Sequence, residues 1–288
     1  MKPFPTGHSP SMHRVRTFLL RAFLGLLLVA VTSIGYAFWI EPRWVEVTTV
    51  RLNLPHLPPE FAGYRIVQFS DLHADEWMTP DRLSRMVAIA NRQTPDLVAL
   101  TGDYVTHDPE IHAQTLLGLR ELKARDGAIA VLGNHDHWTD APTVRRALQQ
   151  AGILELSNQV HLLQRQGRSL PIAGVDDVWY NQDRLDLVLE QLPNQPGAIL
   201  LVHEPDFADT SAATGRFDLQ LSGHSHGGQV KVPFWGQPIL PPYGKKYPSG
   251  RYQIGQMVQY TNRGLGMVKP YVRFHCRPEI TLFVLNPA

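Results

Sequence analysis

The sequence predicts an α/β protein with a parallel sheet, a second and more antiparallel sheet after it, and one membrane-crossing helix in front. Three observations carry this. Five short apolar runs, at residues 64–69, 96–101, 128–132, 198–202 and 217–221, have the length and β-branched content of buried strands. Helical patterns separate the first three, and alternation of strand and helix implies parallel strands joined by right-handed crossovers. Ahead of them, residues 22–40 are an uncharged run of 19 residues, which as a helix spans roughly 28 Å, enough to cross a bilayer.

Taken in order, residues 1–21 form a basic tail with Lys2, Arg14, Arg16 and Arg21 and no acid. Residues 22–40 follow as a transmembrane helix or signal anchor. Tyr36 and Trp39 sit where an interfacial aromatic belt falls, and Pro42 ends the segment. The positive-inside rule leaves the basic tail in the cytoplasm and puts the rest of the chain on the periplasmic or extracellular side, as a single-pass protein of a bacterial inner membrane. A cleaved signal peptide competes with a retained anchor, because Gly35 and Ala37 are small and suitably spaced. A buried core helix is the third reading.

Residues 41–62 read as a juxtamembrane connection, with Val45-Glu46-Val47 alternating like a strand and Pro55, Pro58 and Pro59 opposing helix. The globular domain is expected over 63–288. Helices are predicted at 80–93, with Leu83, Met86, Val87 and Ala90 on one face, and at 109–124, 141–151 and 182–192. After Gly152 the rhythm shortens to strands at 153–156, 159–164 and 170–175, with Gln166-Gly167 turning between the last two. Beyond position 223 strands are expected at 229–232, 257–261 and 281–285.

Composition narrows the class. The 288 residues are 43% apolar, ordinary for a globular protein with a sizeable core. Net charge is formally +1, but the tail holds four of the 27 basic residues and none of the 26 acidic ones, so the body is mildly acidic. No nucleic-acid partner is expected of such a surface. Cys276 is the lone cysteine, which excludes an intrachain disulfide and a thiolate zinc site, and reads as a small buried apolar residue.

The chemistry gathers at the strand ends. Asp71-Leu72-His73, Gly102-Asp103, Gly133-Asn134-His135-Asp136, His203 and Gly223-His224-Ser225-His226 each follow one of the five runs. Ligands of open α/β sheets collect at the carboxyl ends of strands. The candidate metal donors are Asp71, His73, Asp103, Asn134, His203, His224 and His226. Carboxylate, amide oxygen and imidazole without thiolate suit two divalent or trivalent ions among Mn, Fe and Zn. In Asp71-x-His73 and His224-x-His226 the paired residues would share a face of a regular strand and reach a common or neighbouring site.

These blocks, in this order, resemble the signature blocks of the calcineurin-like metallophosphoesterase superfamily. Gly227-Gly228-Gln229, Asn262-Arg263-Gly264-Leu265-Gly266 and Arg277-Pro278-Glu279-Ile280 resemble its bacterial membrane-associated branch. The resemblance implies a four-layer αββα sandwich with two central mixed β-sheets and the metals at the sheet edge. It implies that Asp71, His73, Asp103 and His226 hold one metal and that Asp103, Asn134, His203 and His224 hold the other, with Asp103 bridging. It also implies that a metal-bound hydroxide attacks a phosphoester while His135 meets the leaving-group oxygen.

Other residues carry weaker expectations. Asp136 either caps a turn or orients His135. Asp75, Asp140, Asp176 and Asp177 read as loop carboxylates. Arg263 is the candidate substrate contact, since a guanidinium in a glycine-rich loop can grip a phosphate, against an ordinary salt bridge. Trp77 and Met78 are expected to wall the metal site. The loop 233–248, with Phe234, Trp235, Ile239, Leu240, Tyr243, Lys245, Lys246 and Tyr247, either packs over the sheet or rests on an anionic membrane.

The resulting function is a membrane-anchored dinuclear-metal phosphoesterase acting on a phosphodiester, with a lipid-linked ester among the candidate substrates. A phospholipid or nucleotide-sugar-lipid pyrophosphatase of envelope biosynthesis (UDP-diacylglucosamine-type) is the alternative. A non-catalytic scaffold on the same fold is the third reading, and the complete ligand set speaks against it.

Overall fold

The computed structural model describes residues 12–288; residues 1–11 of the basic tail, Lys2 included, lie outside them. Helix α1 (Met12–Gly35) continues through a π-helical turn (Tyr36–Ile40) and a 3-10 turn (Glu41–Arg43) into strand β1 (Glu46–Leu54). It is long and apolar enough to cross a membrane, and no residue of its most apolar stretch is buried. The first half continues with β2 (Tyr64–Phe69), α2 (Pro80–Arg92), β3 (Leu97–Thr101) and α3 (Pro109–His112), which runs into a 3-10 stretch (Ala113–Glu121). Then come β4 (Ala128–Val131), α4 (Asn134–Thr139), α5 (Ala141–Gln150) and β5 (Leu154–Glu155). The second half holds β6 (Gln159–Arg165), β7 (Arg168–Gly174), α6 (Leu185–Gln191), β8 (Ala198–Leu201), α7 (Ala208–Ala213), β9 (Phe217–Ser222), β10 (Gly250–Ile254), β11 (Met257–Thr261) and β12 (Glu279–Pro287).

Two six-stranded sheets result, ordered β1-β12-β2-β3-β4-β5 and β10-β11-β9-β8-β7-β6. The run β2 to β5 is parallel, as the strand and helix alternation requires. The second sheet is less antiparallel than its short strands suggest, because β7, β8, β9 and β11 are all parallel and only the two outer pairs are antiparallel.

The period-2 alternation of strand side chains sorts the core into three layers. In β2, Ile66 faces the space between the sheets while Val67 and Phe69 face the helices. In β8, Ile199 and Leu201 meet Ile66 and Ile129 between the sheets, while Ala198 and Leu200 meet Val188 of α6 on the far side. Both faces of both sheets are therefore buried, which gives the four-layer αββα sandwich. Leu83, Met86, Val87 and Ala90 are the buried face of α2, and Asp140 caps α5 by accepting from the Thr143 amide at 3.4 Å.

Three departures from expectation have physical causes. Residues 109–124 are mostly 3-10 helix, because Ala113, Leu116 and Leu119 are buried at every third position, the spacing of three residues per turn. Residues 229–232 make only isolated bridges, Val230 to Phe274 and Val232 to Gly236, since the chain turns through left-handed conformations at Gly227, Gly228 and Gln229. Residues 41–62 are no loose connection: β1 pairs with β12 along nine residues, from Glu46 opposite Glu279 to Leu54 opposite Pro287, and buries Leu52 and Leu54 between the sheets. The folded domain thus starts well before residue 63.

Candidate metal centre

Strands β2, β3 and β4 of one sheet and β8 and β9 of the other end side by side, and each delivers its donors in the first residues past its end. The backbone there is unusual. Asp71 (φ 51°), His73 (φ 47°), Asp103 (φ 56°), His224 (φ 69°) and His226 (φ 51°) are all left-handed, a conformation that costs a non-glycine residue roughly 1–2 kcal/mol each. Five such residues at one place mark a site whose side-chain aim outweighs backbone comfort. Two glycines make the crowding possible. A Cβ on Gly133 would collide with the Asp103 carboxylate, and one on Gly223 with Ser70 and the Asp71 carboxylate.

The side chains converge on Asp103. One group, Asp71, His73, Asp103 and His226, and a second, Asp103, His203 and His224, each bring their ligand atoms within 4.8 Å of one another, and Asp103 belongs to both. His73 Nε2 lies 3.0 Å from His226 Nε2 and 3.5 Å from Asp103 Oδ2, His203 Nε2 lies 3.1 Å from Asp103 Oδ2, and His226 Nε2 lies 3.3 Å from Asp71 Oδ1. Asp71 and His73 reach one group through left-handed backbone rather than along a strand, whereas His224 and His226 divide between the two groups. Asn134 opens α4 next to them and is buried.

Asp136 is the clasp of the site. Its Oδ2 accepts from the amides of Gly133 and Asp103, each at 3.0 Å, and its Oδ1 from those of Tyr104 at 2.8 Å and Val105 at 3.3 Å. It therefore ties the loop after β3 to the loop after β4. Asp75, Asp176 and Asp177 likewise serve loop amides, those of Trp77 and Met78, Asp177, and Tyr180 respectively.

Electrostatics suit cations. Burial drives the His73 and His224 imidazoles down to about 3 and His226 well below its ordinary value, so all three keep a lone pair for ligation. Burial also pushes the Asp71 carboxyl up to about 7. Burial opposes ionisation of Asp103 too, but the neighbouring His203 and His135 outweigh it and hold that carboxyl well below the usual range. Buried atoms without a hydrogen-bond partner include Asn134 Oδ1, His73 Nδ1 and His226 Nδ1. An orphaned amide oxygen among neutral imidazoles and buried carboxylates costs stability unless something accepts its lone pair. The donor set of oxygen and imidazole nitrogen fits hard divalent ions.

His135 stands beside this cluster. Its amide donates to Asp103 Oδ1 at 2.8 Å, its Nδ1 lies 3.5 Å from the Thr106 carbonyl, and its ring meets His73 and Trp138 edge to face at 4.7 and 4.9 Å. A cavity of about 470 Å³ opens in front. Asp103, Asn134, His135, His224 and His226 form its polar end, and Trp138, Trp179, Val230, Ile239, Leu240, Val268 and Val272 wall the rest.

Some candidates go elsewhere. Arg263 does not line the cavity: its Nε pairs with Glu279 at 2.7 Å and its Nη2 with Glu46 at 3.0 Å, so its donors serve carboxylates of β12 and β1. Trp77 stacks on Tyr271 under the guanidinium of Arg82, and Met78 packs in the helix-side core, so neither walls the site. Cys276 is buried as expected. Sequence reasoning missed Arg273, fully buried, whose Nη2 donates to the carbonyls of Arg263, Gly264 and Gly266 at 2.9, 3.1 and 2.7 Å. That clamp shapes the loop whose Gly266 amide donates to the Asp71 carbonyl at 2.6 Å. Gln229, placed in sequence only within a family-like run, grips both peptide groups of Val268 on the cavity wall. Carbonyl partners leave no trace in sequence, so Arg273 had no local signal and the contact of Gln229 was not foreseen.

Fold and site together define a metal-dependent hydrolase of phosphoesters. The chain belongs to the calcineurin-like phosphoesterase family, whose profile matches residues 64–228. It is 38% identical to the uncharacterized metallophosphoesterase YkuE of Bacillus subtilis over 94% of this chain and 97% of that one. It is 31% identical to the phosphodiesterase YaeI of Escherichia coli over 88% of this chain and 93% of that one. A transmembrane protein with metallophosphoesterase domain of Bos taurus is 27% identical over 96% of this chain and 65% of its own length.

Proposed function

We propose that this metallophosphoesterase is a membrane-anchored, two-metal enzyme that cleaves a phosphodiester. The observation that carries the reading is that two ligand groups share the single carboxylate of Asp103. Asp71, His73, Asp103 and His226 would hold one ion, and Asp103, Asn134, His203 and His224 the other. Two hard ions such as Mn, Fe or Zn supply Lewis acidity to the phosphoryl oxygens and acidify water at neutral pH.

The chain's own residues do the rest. Asp136 keeps the loops after β3 and β4 in register, so that Asp103, Asn134 and His135 present together. Since His135 Nδ1 faces the Thr106 carbonyl, Nε2 is the nitrogen that would give a proton to the departing alkoxide, passing from the imidazolium to the neutral ring that keeps its proton on Nδ1. The apolar walls of the cavity receive the leaving group and exclude water from it. The diester reading draws support from the similarity to YaeI. Helix α1 would be the retained anchor of a bacterial inner-membrane protein, and by the positive-inside rule Arg14, Arg16 and Arg21 in its N-terminal half would leave the folded domain on the outer side.

One observation favours a second reading within the same chemistry. The cavity is apolar away from its donors, which suits a lipid-linked phosphoester or pyrophosphate. The test is hydrolysis of a chromogenic diester and the matching monoester, with manganese and with chelator, by wild type and Asp103→Ala. Chelator-sensitive turnover that falls at least about a thousandfold in Asp103→Ala, with a diester preference, is the expected result. Full activity of the metal-free protein would overturn it.

A further inference from the structure

The turn at Phe234 and Trp235 is the most exposed apolar feature of the folded domain, with side chains 110% and 81% exposed. It is a built turn. The amides of Trp235 and Gly236 donate to the Val232 carbonyl at 3.0 and 2.9 Å, and the Val232 amide returns to the Gly236 carbonyl at 2.8 Å. Phe234 occupies its tip at φ 66°. A left-handed phenylalanine that buries nothing has neither a backbone nor a packing reason within the domain. The idea that this loop packs over the sheet therefore fails at its tip.

The base of the turn is joined to the end of the apolar helix through one short segment, Arg273–Phe274. Lys231 donates its amide to the Phe274 carbonyl at 2.7 Å, and the Phe274 amide goes to Gln229 at 3.0 Å. On the other side of the same short segment, the Arg273 amide donates to the Ala37 carbonyl at 3.1 Å and the Phe274 ring meets Tyr36 edge to face at 6.4 Å. The Glu41 carboxylate accepts from the His275 amide at 3.0 Å and from that of Cys276. Phe234 lies three residues past Lys231, so the chain carries it at most about 10 Å from that segment. That distance matches the depth of a bilayer's interfacial zone. Trp39 and Trp44, both more than half exposed, mark the same level on the helix side.

The same two elements frame the cavity. Pro238 and Ile239, just after the turn, form one wall, and Val268, Lys269, Pro270 and Val272, just before Arg273, form the other. Exposed Lys231 flanks this face, as does exposed Lys269, whose Nζ lies 3.8 Å from the Glu76 carboxylate, whereas Lys246 is taken up by Asp209.

We propose that the Phe234–Trp235 turn is a second membrane contact beside α1, seated on an anionic bilayer, and that it holds the cavity mouth at the lipid surface so that an amphiphilic phosphoester enters from the bilayer. The substrate half rests on the phosphoesterase reading above; the contact half does not.

The test uses the full chain in vesicles of phosphatidylethanolamine and phosphatidylglycerol. A bimane label is placed at Trp235→Cys, with Arg168→Cys at the opposite end of its strand as control; native Cys276, 3% exposed, stays unlabelled. Nitroxide lipids should quench the label at 235 by about half or more and leave that at 168 nearly untouched, as for a side chain within the headgroup boundary. Equal quenching at both positions, or none at 235, overturns the contact; absence of quenching with a dimeric mass assigns the patch to a second copy instead. The Phe234→Ser, Trp235→Ser double variant should lose about tenfold on a long-chain phosphodiester in vesicles and keep its rate on a soluble diester, because the anchor still holds it to the membrane. Equal rates on both substrates relative to wild type overturn the entry route. If wild type hydrolyses neither ester while quenching persists, the catalytic reading and the substrate fall and the membrane contact stands.

Discussion

At the scale of single residues, the donors were visible in sequence because each stands within a few positions of a strand end, and an apolar run followed by Asp or His is a local pattern. Their geometry was not. The left-handed backbone at Asp71, His73, Asp103, His224 and His226 has no residue signature, since these are not glycines. His135 tests the chemistry. His135→Ala should cost about 10²–10⁴-fold in kcat on an alkyl ester, and much less on a nitrophenyl ester, whose weakly basic nitrophenolate leaves without a proton. An equal loss on both would remove the general-acid role. His137 tests the linkage. Burial opposes its protonation, yet its bond to Asp176 at 2.7 Å raises its pKa above the ordinary value. A raised imidazole stabilises the fold fully below its unfolded pKa, and this contribution disappears as pH climbs through the folded value. The wild-type melting temperature should therefore exceed that of His137→Gln at pH 6, and the gap should narrow above neutrality, which melting curves across that range measure.

Elements were legible where their period is local and obscure where their partner is distant. The apolar spacing of α2 and the short apolar runs of β2, β3 and β4 are written within each segment, so these elements stand where expected. The 3-10 stretch was misjudged because a three-residue spacing of Ala113, Leu116 and Leu119 looks helical over so short a run. Strand β1 was misjudged because its partner β12 lies more than two hundred residues away. This strand gives the element-scale prediction. Leu52 and Leu54 are each 1% exposed, and their burial is worth about 2 kcal/mol apiece. A chain starting at residue 63 loses that burial and bares the edge of β12. It should aggregate or lose its cooperative melting transition, whereas one starting at residue 41 should melt cooperatively; circular dichroism and size exclusion distinguish the two.

At the scale of the molecule, two sheets packed face to face bring candidate donors from both halves of the chain to one edge, and with buried donors left without partners a metal bound there would be a structural component as well as a catalytic one. Metal binding only the folded state adds about 4 kcal/mol at a thousandfold excess over its Kd. Chelation should accordingly lower the melting temperature by several degrees as well as stop turnover, and manganese should restore both; an unchanged melting curve after verified metal loss would contradict the fit of these donors. By itself the sequence determined the α/β class, the apolar N-terminal helix, the family and the candidate donor residues, because apolar period, span length and short motifs are properties of neighbouring positions. The tertiary structure alone decided that β1 belongs to the sheet, that Arg263 is spent on Glu46 and Glu279, that Asp136 clasps two loops, and that the cavity wall shares a segment with the end of α1. Each of these is a contact between residues far apart in the chain, and which distant groups meet is settled only when the two sheets close on each other.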